Sequence, residues 1–288
     1  MTGKPDASAP PPEMPPPDRQ PPDRPPGDMP PAALVTGAGK RIGAALARSL
    51  AAAGWAVAVH HRATDGAAEA LCGEIVAAGG QAVPLQAELA DEAAVTPLVA
   101  RATAAVGPLG LLVNNASVFE FDDVATCDRA SWDAHLDTNL RAPFVLTQRF
   151  AAALPADARG LVVNILDTRV WNLAPGYLSY TLSKAGLWTL TQTLAQALAP
   201  RIRVNAIGPG PTLPSRGQSD ADFTARVAGL PLRQGASPVE IAAALRFLIA
   251  ARSMTGQMIG LDGGDHLNPS RPAAGTSRPE AGEPASPS

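Results

Sequence analysis

Two kinds of apolar pattern alternate along the chain. Short runs rich in Val, Ile, Leu and Ala are typical of strands buried on both faces of a sheet. Longer segments repeat their apolar residues every three or four positions, which predicts amphipathic helices. Glycines such as Gly54 and Gly79 follow several of these longer segments, as they often do where a helix ends.

These patterns predict strands and helices in strict alternation. The predicted strands are Ala33–Thr36, Trp55–His60, Gln81–Gln86, Leu109–Val113, Gly160–Ile165, Arg203–Ile207 and Gln257–Leu261. The predicted helices are Arg41–Ala53, Asp65–Ala78, Asp91–Val106, Ser131–Ala153, Gly176–Leu198 and Val239–Ala250. We therefore expect an α/β fold with a single doubly wound, Rossmann-like parallel sheet of about seven strands and helices on both faces. Ligands bind such sheets at the carboxyl ends of the strands, so the residues after each strand are the candidates for a site.

Both ends of the chain differ from this middle part in composition. Residues 1–31 are dominated by proline, and residues 268–288 are rich in Pro, Ser, Ala and Gly. Such segments cannot continue a helix or fill a sheet, so we expect two disordered tails around one Rossmann-type domain at 32–267. A proline-rich ligand for a partner domain is the alternative interpretation of the first tail.

Composition and charge exclude several classes of function. The net charge of −3 indicates no general attraction to nucleic acid or to an anionic membrane. No apolar run is long enough to span a membrane, and the N-terminal segment lacks the apolar stretch of a secretory signal, so we expect a cytoplasmic protein. Cys72 and Cys127 stand alone, and no His or Cys residues have metal-ligand spacing, so neither a disulfide nor a metal site is expected.

A glycine-rich turn follows the first predicted strand. It reads Thr36-Gly37-Ala38-Gly39-Lys40-Arg41-Ile42-Gly43 and leads into a helix. Glycines allow backbone N–H groups to approach a pyrophosphate, and the helix N-terminus adds positive charge. The spacing is one residue longer than G-x-G-x-x-G, and many turns between a strand and a helix need glycine. The main indication of a dinucleotide site is therefore that this turn follows the first strand.

The end of the second strand indicates which nicotinamide cofactor is used. Enzymes that use NAD place an acid there for the ribose hydroxyls, whereas this chain has His60-His61-Arg62. Arg62 and the imidazoles suit a 2′-phosphate, which predicts NADPH. The alternative is a solvated loop with a chance basic cluster.

Tyr180 and Lys184 are the candidates for acid–base chemistry. They are four residues apart on a predicted helix, so they share one face. An ammonium close to a phenol lowers the pKa of the phenol and makes it a proton donor and acceptor near neutral pH. The alternative is a surface helix with an unrelated Tyr and Lys.

Together the motifs resemble the short-chain dehydrogenase/reductase family over about residues 32–266. The resemblance implies that Asn139 helps to hold a water-linked proton path and that Lys184 bonds the nicotinamide ribose. It places Asn114, Asn115 and Ala116 on the adenosine and ribose side. Family tetramers form through long helices, here Ser131–Ala153 and Gly176–Leu198, so a homotetramer is expected. The expected cofactor contacts are Gly37, Lys40, Arg41, Ile42, Gly43, His60, His61, Arg62, Glu88, Leu89, Asn114, Asn115, Ala116, Lys184, Pro209 and Gly210.

Three departures from the family pattern point to one subgroup of the family. Lys40-Arg41 replaces a glycine of the turn, Asp167 stands where the family usually has serine, and Ser117-Val118-Phe119 follows Asn115-Ala116. These features are similar to the pteridine reductases and dihydromonapterin reductases, which carry an Asp-Tyr-Lys catalytic set. The resemblance implies catalysis by Asp167, Tyr180, Lys184 and Asn139. It implies substrate contacts at Arg41, Ser117, Phe119, Asp167, Tyr177 and Tyr180.

The chemistry of a pterin suits these substitutions. Hydride delivery to a ring C=N carbon leaves a nitrogen that needs a proton, which a carboxyl paired with a phenol can supply. Phe119 can stack on one face of the flat ring. Phe119 as a packed loop aromatic and Asp167 as a solvated loop residue stay open as alternatives, and Ser117 alone carries little weight because serine is common in turns.

The leading hypothesis is therefore NADPH-dependent reduction of a dihydropterin or dihydrofolate ring C=N to the tetrahydro form. The alternative is reduction of a ketone, an aldehyde or a 3-oxoacyl thioester on the same scaffold. A nucleotide-sensing binding protein that has lost its chemistry is a third interpretation, which the intact Tyr180, Lys184 and Asn139 disfavour. The segment 211–228 is expected to be a mobile lid over the substrate.

Overall fold

The computed structural model describes residues 25–63, 65–215 and 217–267. Most of the two predicted tails, 1–24 and 268–288, lies outside these ranges. Within the described part, Met29 is buried in the core and Asp28 forms a salt bridge with Arg252. The residues just before the predicted boundary at 32 therefore already pack against the domain. The proline-rich composition of this segment does not predict that packing.

Seven parallel strands of the described residues form one sheet. They are β1 Ala32–Val35, β2 Ala56–His61, β3 Gln81–Gln86, β4 Leu111–Asn114, β5 Gly160–Ile165, β6 Ile202–Pro209 and β7 Met258–Leu261. Their order is β3-β2-β1-β4-β5-β6-β7, and each neighbouring pair is parallel. Strand order reverses next to β1, at the β1–β4 boundary, which creates a crevice at the carboxyl ends of these strands. The predicted fold class is confirmed.

Nine α-helices connect the strands in the described residues. They are α1 Arg41–Ala52, α2 Ala67–Ala77, α3 Glu92–Val95, α4 Leu98–Val106, α5 Arg129–Leu136, α6 Ala142–Ala153, α7 Leu178–Leu198, α8 Asp220–Ala228 and α9 Pro238–Ala250. Short 3₁₀ turns lie at Thr168–Val170 and Asp265–Leu267, and one π-helical turn lies at Asp137–Arg141.

Proline and capping residues explain where the helices differ from those predicted. The predicted helix 91–106 is divided between α3 and α4 at Pro97, which lacks the N–H that a continuous helix needs. The predicted helix 131–153 contains the π turn, which ends where α6 begins, and Pro143 is the second residue of α6. The segment 211–228, expected to be a lid loop, ends in helix α8, whose start is capped by the Ser219 hydroxyl.

The core lies on both faces of the sheet. Along β1, Ala33 and Val35 pack in a cluster with α1, α2 and α9, whereas Ala32 and Leu34 pack in a second cluster with α4 and α6. Because every residue of β1 is buried, the strand is apolar throughout rather than alternating. Each fully buried Val or Leu contributes about 1.5–3 kcal/mol, which holds the strand ends in place around the crevice. In the described residues, no helix has both the length and the apolar character to cross a membrane.

Candidate active site

A cleft runs across the carboxyl ends of the strands at the β1–β4 boundary. It consists of a cavity of about 440 Å³ next to one of about 270 Å³, and both are lined by Arg41, Ile42, Asn115, Ser117 and Phe119. The larger cavity also contains predicted cofactor contacts, namely Gly37, Lys40, Gly43, His60, Arg62, Glu88, Leu89 and Ala116. The smaller cavity brings together Asp167, Tyr180, Lys184, Pro209 and Gly210.

The glycine turn at the larger cavity has no room for side chains. A Cβ atom on Gly43 would lie 2.3 Å from the Gly37 carbonyl oxygen, and Gly37 has a φ of 60°, which favours glycine. No side chain caps the start of α1. The first N–H groups of this helix are thus left for another acceptor, as in sites that bind phosphate.

Asn115 and Thr36 hold this turn in place. The Asn115 side-chain amide donates to the carbonyl oxygens of Thr36 at 2.8 Å and Gly37 at 3.1 Å. The buried Thr36 hydroxyl accepts from the backbone N–H groups of Asn115 and Ala116. The segment after β4 is therefore bonded to the turn after β1, and the two together form the floor of the cleft.

Lys40 and Arg41 stand at the entrance of helix α1. The Lys40 ammonium pairs with Asp65. The Arg41 guanidinium donates to the carbonyl oxygens of Pro214 at 3.0 Å and Leu213 at 3.4 Å. Arg41 has a φ of 54°, a left-handed conformation in which L-residues are strained. This conformation explains why a glycine is usual at this position in the resembled family.

The three basic residues at the end of β2, His60, His61 and Arg62, do not form the cationic cluster that the sequence predicts. His60 is buried, and its ring accepts from the Gly37 N–H and donates to the Ala87 carbonyl oxygen. Burial lowers the pKa of His60 from 6.5 to about 4, so this ring is neutral near pH 7. His61 is also buried, bonds the Ala63 carbonyl oxygen and does not line either cavity. Arg62 alone of the three is exposed at the cavity.

Two of the predicted asparagines are committed to internal hydrogen bonds. Asn114 is buried between β4 and β5, donates to Asn164 at 2.8 Å and does not line either cavity. Asn139 is fully buried and its side chain bonds both backbone groups of Val118 and the Ser183 hydroxyl. The Asn139 amide therefore ties the segment after β4 to helix α7, and its part in a proton path stays a prediction.

Asp167 and Tyr180 meet in the smaller cavity. Asp167 follows β5, and its Oδ1 accepts from the Arg169 N–H, which starts the 3₁₀ turn there. The Tyr180 hydroxyl donates to Asp167 Oδ2 at 2.9 Å. Burial and the negative charge of Asp167 raise the pKa of Tyr180 well above 10. The expectation that Lys184 brings this pKa close to neutral is therefore wrong.

Lys184 lies beneath Tyr180 on the same face of α7. Its Nζ donates to the Ile165 carbonyl oxygen at 2.8 Å and is 5.8 Å from the centre of the Tyr180 ring. Burial lowers the pKa of Lys184 from 10.5 to about 8, and Asp167 partly opposes this change. The ammonium is thus held at the end of β5, beside the Tyr180 ring.

Aromatic rings form one side of the smaller cavity. Phe119 stacks on Tyr177 with 4.4 Å between ring centres and meets Tyr180 edge-on at 4.7 Å. Phe119 lines the cavity and is 37% exposed, whereas Tyr177 supports it without lining either cavity. Ser117 also lines the cavity, and its hydroxyl bonds the Val118 carbonyl oxygen. Phe119 is therefore both a packed ring and part of the cavity wall.

Two further features of the site are absent from the residues predicted above. Arg169 lines the smaller cavity, two residues after Asp167, and its place at the end of a strand is the signal that could have identified it. Asp122 is buried and accepts hydrogen bonds from Ser131 and Ser179, which joins the Phe119 segment to the start of α7. No motif in the sequence marks Asp122.

Comparisons with known proteins identify relatives that are named for different activities or properties. Residues 31–222 match the family model for short chain dehydrogenase. A 3-oxoacyl-(acyl-carrier-protein) reductase of Synechocystis is 33% identical over 81% of this chain and 95% of its own. FolM alternative dihydrofolate reductase 1 from Brucella canis, complexed with NADP, is 48% identical with a TM-score of 0.81, over 84% of this chain and 96% of that one. A blue fluorescent protein from a metagenomic library, in complex with NADPH, is 33% identical with a TM-score of 0.76, over 81% and 96%.

Proposed function

Because the chain belongs to the short-chain dehydrogenase family, we propose that it is an NADPH-dependent reductase of a dihydropterin or dihydrofolate. The product is the tetrahydro form, made by reduction of one ring C=N bond. The observation that carries this proposal is the hydrogen bond from Tyr180 to Asp167, which lies in the same cavity as the Phe119 ring. The Brucella relative named for dihydrofolate reduction supports the same assignment.

The larger cavity fits NADPH. Its glycine turn has no room for a Cβ at Gly43, and the uncapped start of α1 suits a pyrophosphate. Arg62, whose side chain is 71% exposed and only loosely paired with Glu88 at 3.9 Å, is free to turn towards a 2′-phosphate. Two relatives bound to NADP or NADPH in their crystals support this choice. When bound, NADPH supplies the hydride.

The residues of the smaller cavity supply the proton. Reduction of the C=N bond adds a hydride to the carbon, and the nitrogen keeps the electron pair of the broken π bond and takes a proton. The high pKa of Tyr180 keeps its phenol protonated at neutral pH, so Tyr180 is a proton donor. Asp167 orients the phenol through its Oδ2, and solvent returns the proton after turnover.

The carboxylate at 167 favours a ring nitrogen over a ketone. A developing alkoxide needs hydrogen-bond donors close to it, and an ionised carboxylate offers none and adds negative charge. A ring nitrogen that becomes an N–H group carries no such charge once it is protonated. The flat Phe119 ring, partly exposed in the cavity, suits a heteroaromatic substrate in the same way.

A second candidate function is reduction of a 3-oxoacyl thioester. Curated relatives from Synechocystis and Staphylococcus epidermidis carry the name of that activity at 33% and 32% identity. In this reading Asp167 is a neutral replacement of a serine. The homotetramer and the cytoplasmic location stay predictions under either function.

A panel of substrates distinguishes the two functions. NADPH oxidation is measured with dihydrobiopterin, dihydromonapterin, dihydrofolate and a 3-oxoacyl ester, for the wild type, Asp167→Asn and Asp167→Ser. We expect turnover of at least one pterin or folate, and a loss of about 100-fold in both variants because the carboxylate that orients the proton donor is removed.

Binding measurements make the panel decisive. NADPH affinity should be the same in all three proteins, since Asp167 is not among the expected cofactor contacts and does not line the larger cavity. Turnover of the 3-oxoacyl ester alone, unchanged or improved by Asp167→Ser, would contradict the proposal and leave a carbonyl reductase.

A further inference from the structure

Arg169 is a buried arginine that forms no ion pair with any of the residues that the structure describes. It is 9% exposed, and within the described residues its only side-chain hydrogen bond is a long one of 3.4 Å from Nη1 to the Gly176 carbonyl oxygen. Its Nε is buried without a partner. Burial of a guanidinium is unfavourable unless other contacts compensate. A further contact of the guanidinium must therefore compensate for its burial.

That contact is the face of an aromatic ring. The Arg169 Cζ lies 5.1 Å from the centre of the Tyr177 ring, a cation–π arrangement. The Tyr177 ring also stacks on Phe119, which is parallel to it within 4° at 4.4 Å, and it meets Phe121 edge-on at 5.2 Å. Guanidinium, phenol ring and phenyl ring thus contact one another in series, and we call these three residues the aromatic column.

The backbone fixes both ends of the aromatic column. Arg169 follows directly in the turn that Asp167 starts, through the bond from its own N–H to Asp167 Oδ1. Tyr177 has a left-handed backbone, with a φ of 59°, and its N–H donates to the Asp122 carbonyl oxygen at 2.7 Å. A strained conformation persists only where its surroundings hold it, and such positions concentrate at functional sites. The column is a constrained part of the site rather than loose packing.

We propose that Arg169 is a positioning residue for a flat heteroaromatic substrate, because it holds Tyr177 and thereby fixes the Phe119 ring as a wall of the substrate cavity. This inference rests on the proposed pterin or folate reduction. The two residues after β5 then have different roles. Asp167 takes part in proton transfer, and Arg169 helps to position the substrate ring that is reduced. Arg169 acts through Tyr177 and Phe119 and needs no contact with the substrate.

A double-mutant cycle tests this inference on the full-length protein. The probe is an oxidised pterin, whose fluorescence reports binding to the protein saturated with NADP⁺, where no turnover occurs. The variants are Arg169→Met, Tyr177→Leu and their combination, with Tyr177→Phe as the control that keeps the ring. We expect each of the first two to weaken pterin binding about tenfold. The combination should be no weaker than Tyr177→Leu alone, because both changes break the same column.

Further measurements separate positioning from a general structural role. Affinity for NADPH should change by less than twofold in all variants, and Tyr177→Phe, which keeps the ring, should bind the probe more tightly than Tyr177→Leu. Arg169→Lys, which keeps the charge but not the planar group, should be intermediate, and it replaces Arg169→Met in the cycle if that protein does not fold. With the dihydropterin substrate, KM should rise more than kcat falls.

The outcomes overturn different claims. Wild-type binding that Arg169→Met leaves unchanged, or losses that multiply in the double variant, would refute the role of Arg169 and leave the proposed function intact. Failure of the wild type to bind or reduce any pterin or folate would refute the proposed function, and this inference with it.

Discussion

The hydroxyl of Tyr180 donates a 2.9 Å hydrogen bond to the Oδ2 atom of Asp167. The two residues come from different elements, since Asp167 follows β5 and Tyr180 lies in the first turn of α7. Both face the same cavity, so the carboxylate and the phenol form a unit that a substrate meets together. The properties of this pair lead to the first prediction.

Replacing Asp167 with Asn should lower the pKa of Tyr180. Burial raises this pKa, and the charge of Asp167 and its hydrogen bond raise it further, whereas Arg169 lowers it. The variant removes the charge but keeps the burial, so the pKa of Tyr180 should fall, while burial still raises it above its ordinary value. The chain has two tyrosines, so a Tyr177→Phe background leaves Tyr180 as the only one. The measurement is a tyrosinate absorbance titration, and an unchanged pKa in Asp167→Asn would show that the carboxylate does not act on the phenol.

Replacing Arg41 tests the strain at the entrance of helix α1. Arg41→Gly and Arg41→Ala lose the same guanidinium, but only glycine adopts a φ of 54° without cost. We expect Arg41→Gly to be more stable than Arg41→Ala by about 1 kcal/mol in urea unfolding of the cofactor-free protein. Both should bind NADPH more weakly than Arg41→Lys. Equal stabilities of the Gly and Ala variants would show that this backbone position is not strained.

The location of the site was predictable because parallel strands end at one edge of the sheet. Arg62 follows from its place after the second strand, whereas the family resemblance implies Asn115 and Asp167. All three residues follow strands, and all three line the cleft. The rule that ligands bind at the carboxyl ends of parallel strands depends only on the order of strands and helices. The apolar pattern of the sequence predicts that order well.

The environment of each side chain was not predictable in the same way. His60 and Asn114 also come at strand ends, yet they turn inward and bond Ala87 and Asn164. A polar residue at a strand end can face the cavity or find an internal partner, and the partner comes from a distant part of the chain. The pKa of His60 follows from such a partner and from burial, neither of which a local pattern contains.

Lys184 should make stability depend on pH above neutrality. Burial lowers its pKa in the folded protein from 10.5 to about 8, so between these values the unfolded chain binds a proton that the folded protein does not. The free energy of unfolding contributed by this group therefore rises with pH across that window, by about 3 kcal/mol. The measurement is urea unfolding of the cofactor-free wild type and Lys184→Met from pH 7 to pH 11.

The difference between these two proteins isolates the lysine, because other titrating groups are common to both. The wild type should gain stability relative to Lys184→Met as the pH rises from about 8 to 10.5. A difference that stays constant over the range would mean that the buried ammonium keeps its ordinary pKa.

Replacing Asp122 with Asn should destabilise the protein and loosen the site. Asp122 is 1% exposed, and its carboxylate accepts from the Ser131 hydroxyl at 2.7 Å and from the backbone N–H and hydroxyl of Ser179. An amide replaces one acceptor with a donor that faces these hydroxyl groups. We expect a loss of about 2–4 kcal/mol in urea unfolding at pH 7. The matched control is Asp123→Asn in the adjacent surface turn, where the loss should be smaller.

The pH dependence of this loss has a definite sign. Burial raises the pKa of Asp122, but the hydrogen bonds from Ser179 and Ser131 outweigh it and leave the pKa below 3.8. The carboxylate therefore contributes stability above pH 3.8 that is lost as the pH falls through its folded value, so the gap between wild type and Asp122→Asn should narrow in acid. Since Asp122 holds the Phe119 segment against α7, the variant should also raise KM for the substrate at neutral pH. A variant as stable as the control, with unchanged KM, would show that this buried carboxylate does not hold the two segments together.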